Sequence, residues 1–576
     1  MRRWSTRNVS PTADDGGTPV RTAVADLLAI LYDEGVSHLF VNPGMHTAPL
    51  REALADAEAA GVPHPQPILC VHEHVALCAA HGHYLAGGRT QAVMVHVENG
   101  TLNLGGAAGN AQRDRVPVTL FCGGGAECRQ LLEALSAAAS EPEPGLLSGV
   151  SKWAVDLSRG GELGALTRRA VQIARAEPMG LTHVALPMDL LGQPAGASWR
   201  RLPPPRTPAP DLGALEEMAE LLTTAEAPVI VAGRVGRQTE SVHHLARLAD
   251  ALAAPVVDFR NHVNMPPQHP LNVALDCREL LDRADAILLL DVDLPCLPGL
   301  GPLPAQAWLL QIDTDCLKAD LPGWAAPIEI AVTADTQLAL PALLTLLTDR
   351  LTARRRKVDD RRKRVERVAR GIRDAWRDRA ASAHPADRAD AVMAELQRWL
   401  PEGTVIVEEA APGVGSTLRQ LERPAGQHLR AIPRTPGWCL GAALGAGLAR
   451  PAQPVVAICD DTAFAASLPS AAFWTAHRGG APFLTVVLDQ PGRRPAPSDS
   501  GADVVTLARA AGAEALVVDE ASEIAEALEQ LLTTTRDGVC AVLDVRLPAS
   551  EDETVRPSLR RSSLTSRSTQ TKRQPA

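Results

Sequence analysis

Several features that define other classes of protein are missing from this sequence. The 10 cysteines form no CxxC pair and no His/Cys cluster at zinc-ligand spacing, so we predict neither a zinc site nor a disulfide framework. Reduced, mostly buried thiols in a cytoplasmic protein are expected instead. No apolar run of about 18 residues occurs, and none follows the basic start of the chain, so we predict neither a membrane span nor a secretion signal.

An excess of positive charge is also missing. The chain has 67 Asp and Glu residues against 57 Lys and Arg, a formal net charge of −10, which argues against a nucleic-acid-binding body. Only 2 Tyr and 6 Phe residues are present, which we attribute to composition bias rather than to function. The chain is long, however. Its 576 residues, of which 45% are apolar, are enough for about three or four soluble domains.

Short apolar runs alternate with amphipathic stretches of helical length between the two polar ends of the chain. Runs such as Ala286–Leu290 and Val455–Ile458 are bounded by Gly, Pro, Asp or Asn, a pattern typical of buried parallel strands. Their alternation with helices predicts an α/β fold made of three doubly wound parallel-sheet domains.

Two stretches divide the chain into these domains. Arg201–Asp211 is rich in proline and predicts an extended linker, whereas Arg350–Arg379 is dense in Arg, Lys and Asp and predicts an exposed connecting helix. A nucleic-acid-binding role for that basic helix is the alternative, but we favour a solvated helix. The predicted order is a disordered N-terminus (1–20), a first domain (21–200), a central domain (211–348), the connecting helix (350–384), a third domain (385–548) and a disordered tail (549–576).

Polar residues follow the predicted strands of the first domain. The turn Asn42-Pro43-Gly44 follows one strand, and Glu73 stands where a helix begins after the next. A third strand leads through His96 into a segment ending in Asn103, which we expect to be a polar loop before a small-residue helix. A carboxylate at a helix start is often only a favourable partner of the helix dipole, so Glu73 alone does not indicate catalysis.

Taken in order, these elements resemble a known family. A turn of sequence NPG, a His-Glu pair before a small-residue helix, a strand ending in G-x-x-N and the segment Asp114–Val118 (D-x-x-P-V) follow one another as in the pyrimidine-binding domain of thiamine-diphosphate enzymes of the acetolactate synthase and benzoylformate decarboxylase type. The resemblance implies that Glu73 activates the cofactor by holding a carboxyl group against a nitrogen of its pyrimidine ring. It also implies that the cofactor is contacted by Asn42, Pro43, Gly44 and Asn103.

His96 has two interpretations. By resemblance it is a catalytic histidine that donates protons to the substrate adduct or accepts them from it, a role that suits an imidazole near neutral pH. The alternative is a histidine at a strand end that simply bonds the backbone. The sequence leaves both open.

In the third domain, polar residues follow two strands at a spacing similar to that of the family's metal motif. Cys459-Asp460-Asp461 precedes a predicted helix over Ala463–His477, and Asp489-Gln490 follows after a gap of 27 residues. The family has Gly-Asp-Gly and Asn-Asn at these places. The resemblance implies Mg²⁺ ligands at Asp460, Gln490 and the backbone carbonyl of Gly492, and cofactor contacts at Asp460, Asp461, Thr462 and Gln490. The alternative is an ordinary pair of helix-capping aspartates.

A segment of small residues precedes this motif. Thr435–Ala449 reads TPGWCLGAALGAGLA and resembles the part of the family that forms the floor of the cofactor site. There Gly437 would permit close packing and Leu440 would hold the cofactor in its bent shape. The alternative is a buried helix built of small residues.

The central domain carries only a weak signal. Pro228–Gly236 (PVIVAGRVG) predicts a strand followed by a glycine turn, but no acidic residue is placed to bind a ribose. We therefore expect a structural domain without FAD.

The resemblance implies thiamine diphosphate and Mg²⁺ as cofactors, a 2-oxo acid as the small-molecule substrate, and decarboxylation or carboligation as the outcome. In such enzymes the first domain of one subunit faces the third domain of another, so we expect a homodimer or homotetramer. Because CDD and DQ depart from the family motif, the alternative is a non-catalytic or cofactor-weakened homologue with an assembly or regulatory role.

Overall fold

The computed structural model describes most of the chain. The described residues are 21–44, 47–123, 147, 149–157, 160–196, 200–258, 262–273, 278–293, 296–297, 301–321, 324, 326–384, 387–409, 415–431, 435–489 and 503–547. The two ends predicted to be disordered lie outside them, as do Gln490 and Gly492 of the predicted metal motif.

Three parallel sheets form three α/β units, which confirms the predicted fold class. The strands are β1 His38–Asn42, β2 Gln66–Leu69, β3 Gln91–Val95, β4 Val118–Gly123, β5 Trp153–Asp156, β6 Thr182–Leu186, β7 Pro228–Ala232, β8 Val256–Asp258, β9 Ala286–Leu290, β10 Cys296–Leu297, β11 Gly301–Pro302, β12 Trp308–Asp313, β13 Ile328–Thr333, β14 Val405–Glu409, β15 His428–Ala431, β16 Val455–Asp460, β17 Leu484–Asp489, β18 Glu514–Val518 and β19 Ala541–Arg546. Their order is β2-β1-β3-β4-β6-β5 in the first sheet, β13-β12-β9-β7-β8 in the central sheet and β15-β14-β16-β17-β19-β18 in the third, while β10 and β11 form a small antiparallel pair.

Helices connect these strands. They are α1 Ala23–Asp33, α2 Ala48–Ala60, α3 Glu73–Gly87, α4 Val97–Asn103, α5 Gly105–Arg113, α6 Leu163–Arg175, α7 Leu212–Thr224, α8 Thr239–Leu252, α9 Arg278–Asp282, α10 Thr336–Thr352, α11 Arg355–Ala380, α12 Arg388–Trp399, α13 Ser416–Gln420, α14 Cys439–Ala449, α15 Asp461–Ala466, α16 Pro469–Gly479, α17 Val504–Ala510 and α18 Ile524–Arg536. Short 3₁₀ turns lie at Gly160–Glu162, Met188–Gly192, Val235–Arg237 and Ala521–Glu523.

The strands are apolar on both faces because helices cover both faces of a parallel sheet. All five residues of β7 and of β9 are buried. In the third sheet, β16 and β17 are buried up to their last residues, Asp460 and Asp489, which are partly exposed. Polar side chains thus emerge at the carboxyl ends of the strands, where parallel α/β sheets bind their ligands.

The first and third units share one apolar core, to which helices α3 and α14 both contribute. Their backbones approach closely because both helices are rich in small residues. At Gly445 of α14, a Cβ atom would lie 1.9 Å from the carbonyl oxygen of Ala79 in α3, so only glycine allows this approach. The two units therefore pack against each other within one chain. The expected arrangement in which the first domain of one subunit faces the third domain of another stays a prediction.

Ion pairs connect the first unit to the central one. Arg115, which follows α5, lies 3.1 Å from Asp293, 3.2 Å from Asp313 and 3.1 Å from Asp315. Within the central unit, the buried Lys318 lies 2.8 Å from the same Asp293. Because these aspartates lie at or just beyond the carboxyl ends of β9 and β12, the ion pairs fix the first unit against that edge of the central sheet.

Two local predictions were wrong. The segment expected to be a polar loop before Asn103 is helix α4, and the helix expected over Ala463–His477 is divided into α15 and α16. The division occurs because Leu468 has a left-handed φ of 54°, which ends one helix, and Pro469 begins the next.

Within the part of the chain that is described, no helix is long and apolar enough to cross a membrane. The cysteines whose side chains are described are free thiols, and all of them except Cys316 are buried.

Candidate active site

Three strand ends of the first sheet bring the predicted residues of this unit together. β1 ends at Asn42, whose Nδ2 donates a hydrogen bond to the carbonyl oxygen of Cys70, directly after β2 (3.0 Å). β1 also pairs with β3, which places Asn42 beside Val95 and the turn Pro43-Gly44 beside His96. These residues therefore share the carboxyl edge of the sheet.

Glu73 is the first residue of α3. Its Oε2 accepts a hydrogen bond of 3.1 Å from Nδ2 of Asn103, the last residue of α4. The Glu73 side chain is only 13% exposed, and Gly100 lies so close that a Cβ atom there would be 3.0 Å from its Oε1. The structure thus brings together two predicted site residues. Nδ1 of His72 also lies 3.8 Å from Oε2 of Glu73, and the carboxylate keeps further acceptor capacity.

His96 ends the β3 segment and is the N-cap of α4. Gly44 lies directly against its ring, because a Cβ atom at position 44 would be 2.2 Å from both Cγ and Nδ1 of His96. Glycine at 44 is therefore what allows the imidazole to occupy this place. The two predicted residues are neighbours, and the catalytic role of His96 stays a prediction.

The third sheet presents carboxylates at its corresponding edge. Asp460 ends β16 and is the N-cap of α15, where its Oδ1 accepts the backbone N–H of Ala463 (2.7 Å). Asp461 is buried, and its Oδ1 accepts the N–H of the exposed Thr462 (2.9 Å). The capping contact of Asp460 involves one carboxylate oxygen, so helix capping and metal binding are compatible at this residue.

Only part of the predicted metal site is described. Among the described residues, no three His, Cys, Asp or Glu side chains are grouped so that they could hold a metal ion. Asp460 is the only described member of the predicted ligand set, since Gln490 and Gly492 lie outside the described ranges. β16, which ends at Asp460, and β17, which leads towards Gln490, are adjacent. They pair in parallel, and Asp460 lies opposite Leu488. The ligand set stays a prediction.

Glu409 is a buried carboxylate that the sequence analysis did not identify. It ends β14, the strand beside β16, and is 4% exposed. Its Oε1 accepts the N–H of Gly437 and its Oε2 accepts the N–H of Cys439, both at 2.8 Å. Burial raises the pKa of Glu409 to about 7, and the charge of Asp460 acts in the same direction, while the backbone N–H groups oppose it. The acidic end of the run VIVEE, which parallels VVAICD, could have identified it.

Gly437, Trp438 and Cys439 form the turn that leads into α14, called the floor turn below. Gly437 has a φ of 106°, and a Cβ atom there would lie 2.4 Å from the carbonyl oxygen of Ala466. Leu440 follows in the first turn of α14 and is fully buried. His74, the residue after Glu73, has its Nε2 2.8 Å from the carbonyl oxygen of Gly437. The predicted floor is therefore in direct contact with the helix that carries Glu73.

Asp544 is a second carboxylate that the sequence analysis missed. It lies in β19 with no exposed surface, and neither of its oxygens has a hydrogen-bond partner within the described residues. Desolvation raises the pKa of Asp544 to about 7, and the negative charges of Asp489, Asp503 and Asp461 add to the effect, with Arg546 opposing them. The only signal in the sequence was one aspartate inside the apolar run AVLDV.

The glycine turn of the central unit is closely packed. At Gly233, a Cβ atom would lie 2.2 Å from the carbonyl oxygen of Asp291, so two backbone segments are in contact there. The expectation of a domain without FAD stays a prediction. A cavity of about 210 Å³ lies nearby and is lined by Arg115, Arg234 and Arg237 among others. This volume is below the roughly 300–1,000 Å³ of ordinary ligand pockets.

Comparison with known proteins agrees with this arrangement. Benzoylformate decarboxylase of Pseudomonas aeruginosa is 27% identical over 547 residues, covering 88% of this chain and 96% of that protein. Acetolactate synthase of Bacillus subtilis is 23% identical over 537 residues, covering 87% of this chain and 89% of that protein. The structure of the thiamine diphosphate-dependent 4-hydroxybenzoylformate decarboxylase of Rhodococcus jostii superposes with a TM-score of 0.74 at 19% identity, covering 92% of this chain and 100% of that one, which shows the shared fold.

Family models match all three units in order. The N-terminal TPP binding domain of thiamine pyrophosphate enzymes matches residues 21–138, the central domain matches residues 215–343, and the C-terminal TPP binding domain matches residues 413–545. The two cofactor-binding models cover the two sheet edges that carry Glu73 and Asp460. The chain therefore belongs to the family of thiamine-pyrophosphate-dependent enzymes.

Proposed function

We propose that this chain uses thiamine diphosphate and Mg²⁺ to cleave a 2-oxo acid, either by decarboxylation or by joining the remaining acyl fragment to a second carbonyl compound. The observation that carries the proposal is the position of Glu73. It begins α3 at the carboxyl edge of the first sheet, accepts a hydrogen bond from the neutral amide of Asn103, and precedes His74, which contacts the floor turn of the third unit. The Glu73 carboxylate thus lies close to the contact between the two units that the cofactor-binding family models match.

The described residues suit the ring end of the cofactor, and the ligand types of the predicted metal set suit its diphosphate end. The carboxyl group of Glu73 suits a ring nitrogen, because its described hydrogen-bond partner is neutral. Asp460, with Gln490 and Gly492, would supply oxygen ligands to Mg²⁺, which in turn would hold the diphosphate. The bound cofactor would supply the electron sink for the charge left when the carboxylate departs.

Two side chains would handle protons. Glu73 would share a proton with the pyrimidine ring, and its low exposure would keep bulk water from competing for that proton. His96 would move a proton to or from the substrate-derived group. Gly44 would keep the imidazole in place, since any larger residue would collide with the ring.

The names of the relatives support the 2-oxo acid class and both outcomes. Benzoylformate and 4-hydroxybenzoylformate are aryl 2-oxo acids, and both proteins named after them are decarboxylases. Acetolactate synthase represents the joining reaction. A panel of aryl and alkyl 2-oxo acids, with and without an acceptor aldehyde, would separate decarboxylation from carboligation.

We also propose a cytoplasmic homodimer or homotetramer, as the resemblance implies. Val71 and Leu102 are 49% and 57% exposed, and each stands close in the chain to Glu73 or Asn103. A second subunit or the cofactor would cover such apolar surface. Light scattering of the purified protein measures the oligomeric state, and a monomer at micromolar concentration would contradict this part of the proposal.

The first test is calorimetric titration of the apoprotein with thiamine diphosphate in the presence of Mg²⁺, followed by assays of Glu73→Gln. We expect saturable binding in the wild type. In the variant, turnover of the best 2-oxo acid should fall about 10²- to 10⁴-fold, because the proton-sharing carboxyl group is lost. The cofactor dissociation constant should change less than about tenfold.

Glu52→Gln is a matched control, because Glu52 is exposed on α2 of the same unit. It should leave both quantities unchanged. Full activity of Glu73→Gln would contradict the role of Glu73. Absence of binding by the wild type at millimolar cofactor would instead favour a non-catalytic homologue.

A further inference from the structure

Helix α11 concentrates positive charge in a chain that is acidic overall. Between Arg355 and Ala380 it has 12 Arg and Lys residues against 5 Asp and Glu, whereas the whole chain has a formal net charge of −10. The rest of the chain is therefore more acidic than the chain as a whole. Charge of one sign gathered on one helix attracts a surface of the opposite sign.

Four cations of α11 lie on one exposed face of the helix. They are Arg356, Lys363, Arg367 and Arg370, called the basic stripe below. Positions i, i+7, i+11 and i+14 of an α-helix share a face, and at 1.5 Å per residue they extend over about 21 Å. The basic stripe is therefore a continuous charged surface along more than half of α11.

The chain itself does not neutralise this stripe. The ion pairs of α11 use other cations, such as Lys357, which lies 2.6 Å from Glu226, and Arg362, which lies 3.0 Å from Asp250. Within the described ranges, no carboxylate forms an ion pair with any of the four cations of the basic stripe. The stripe is therefore available to a partner.

An acidic surface of similar kind lies at α18. Asp519, Glu523, Glu526 and Glu529 are exposed, and they are called the acidic face below. Their neighbour Glu520 pairs with Arg388 at 2.7 Å, but in the part of the chain that is described no cation pairs with these four. Like charges so close together repel one another, and an opposing row of cations would relieve the repulsion.

Helix α12 connects the two charged surfaces, because it packs against both α11 and α18. At its end Trp399 is 48% exposed. The buried residues of α12 and α18 belong to an apolar cluster distinct from the core that the first and third units share. This surface therefore differs from the one through which, by resemblance, the first domain of one subunit faces the third domain of another.

We infer that the basic stripe of one copy docks on the acidic face of a second copy, and the reverse, in a two-fold symmetric contact. Such a contact uses the same surface of both copies, so a basic and an acidic element on one surface are matched twice. The exposed Trp399 between them adds apolar area to the contact. The inference goes beyond the proposed function, since neither cofactor nor substrate takes part.

The charge of the two surfaces determines how this contact responds to salt. Exposed ion pairs are individually weak, and salt screens them over a Debye length of about 10 Å at 0.1 M and about 3 Å at 1 M. The contact should therefore form at low ionic strength and dissociate at high ionic strength. A subunit contact with a large apolar core would persist in both conditions.

The test is sedimentation velocity of the full chain without cofactor, in about 50 mM and about 500 mM NaCl. We expect the species present at high salt to double its mass at low salt, with at least tenfold tighter association. The basic variant Lys363→Glu/Arg367→Glu and the acidic variant Glu526→Arg/Glu529→Arg should each weaken the low-salt association at least tenfold. All four changed residues are exposed, so the fold should be retained.

Exchanging the charges provides the sharpest comparison. A chain that carries all four substitutions restores opposite charges across the contact and should associate within about threefold of the wild type. Glu216→Arg/Glu220→Arg on α7 is the matched control, because it reverses two exposed carboxylates of another helix that have no ion-pair partner among the described residues. It should leave the association unchanged.

The outcomes are distinct. A wild type whose mass does not depend on salt would overturn the inference, and so would a fourfold variant that fails to recover. Loss of association in the α7 control would mean that another acidic surface is used, which also contradicts the pairing of α11 with α18.

Duplex DNA is the competing partner for a basic stripe, because its phosphates attract cations in a salt-dependent manner. Binding of a DNA duplex by the wild type, without self-association, would replace the second copy by nucleic acid. In that case Glu526→Arg/Glu529→Arg would strengthen the binding instead of weakening it. Failure of the proposed function, such as absence of thiamine diphosphate binding, would leave these measurements unaffected.

Discussion

The two sheet edges that meet at the candidate site differ in how their charges are held. At the edge of the first unit, the Glu73 carboxylate is bonded by the amide of Asn103 and lies 3.8 Å from Nδ1 of His72, and the imidazole of His96 occupies a space left by a glycine. The edge of the third unit has acidic residues at or near the ends of four neighbouring strands, β14, β16, β17 and β19. They are Glu409, Asp460, Asp489 and Asp544.

This difference indicates what each edge can bind. A carboxylate with a neutral partner keeps acceptor capacity for an uncharged heteroaromatic ring. Several carboxylates at one edge repel one another and lower the stability of the fold unless a cation or bound protons compensate. The proposed function accordingly assigns the ring of the cofactor to the first edge, and a cation together with the anionic group that it holds to the third edge.

The largest effect is expected at the third edge, from Asp460→Asn. Asparagine keeps an oxygen that can accept the N–H of Ala463, so the helix cap is retained while a charged metal ligand is lost. We expect the apparent dissociation constant of thiamine diphosphate at fixed Mg²⁺ to rise about 1,000-fold, or roughly 4 kcal/mol. Calorimetric titration at several Mg²⁺ concentrations measures the change.

Asp461→Asn is the comparison variant, because it removes the same charge one residue further along. A second carboxylate beside a diphosphate is repulsive, so its loss should tighten cofactor binding by up to about tenfold. Opposite effects of the two variants would support a ligand role for Asp460. If both variants weakened cofactor binding equally, Asp460 would contribute no more than its neighbour, and its assignment as a metal ligand would be wrong.

The next largest effect is expected at the first edge, from Gly44→Ala. The added Cβ atom would lie 2.2 Å from the ring atoms Cγ and Nδ1 of His96, so the imidazole must leave its position. If His96 moves a proton in the reaction, kcat should fall about 100-fold, since general acid–base groups contribute roughly 10²–10⁴. Steady-state assays of wild type and variant measure this.

Gly105→Ala is the matched control, because no atom lies within 4 Å of a Cβ atom at position 105. It should change kcat less than about twofold. The double variant Gly44→Ala/His96→Ala extends the test, since it should be no slower than His96→Ala if both changes act through the same imidazole. A further loss in the double variant would mean that Gly44 acts on something other than His96.

Much of this comparison could be predicted from the sequence, because strand ends leave local signals. Asp460 and the turn at Asn42 follow buried apolar runs directly, and Glu73 follows one closely. In parallel sheets, residues at strand ends meet at one edge. The fold class follows from the same alternation of apolar runs and helices. These signals need only a few neighbouring residues, which is why they could be found without a structure.

The features that could not be predicted depend on residues far apart in the chain. Helix α4 forms from a polar, glycine-containing segment whose last residue bonds Glu73, 30 positions earlier. Glu409 binds N–H groups 28 and 30 positions later. Asp544 was missed because a strand interior is expected to be apolar, and nothing in the local sequence shows that its carboxyl group lies at a shared acidic edge.

The smallest effect we predict concerns that acidic edge, through Asp544→Asn in the apoprotein. Because the pKa of Asp544 is raised to about 7, the folded chain binds more protons than the unfolded chain between about pH 4 and pH 7, and stability falls as the pH rises through this window. Asparagine does not titrate, so the variant should match the wild type near pH 4 and be more stable by about 2 kcal/mol at pH 8, after allowance for partial screening by solvent. Thermal unfolding without Mg²⁺ should show a midpoint roughly 5 °C higher for the variant at pH 8.

Asp519→Asn, at an exposed position of the same unit, should show no pH-dependent difference. If Asp544→Asn were less stable than the wild type at pH 8, the negative charge of Asp544 would be balanced by other groups in the folded chain. Repulsion among the carboxylates of the third edge would then cost less stability than the comparison with the first edge indicates.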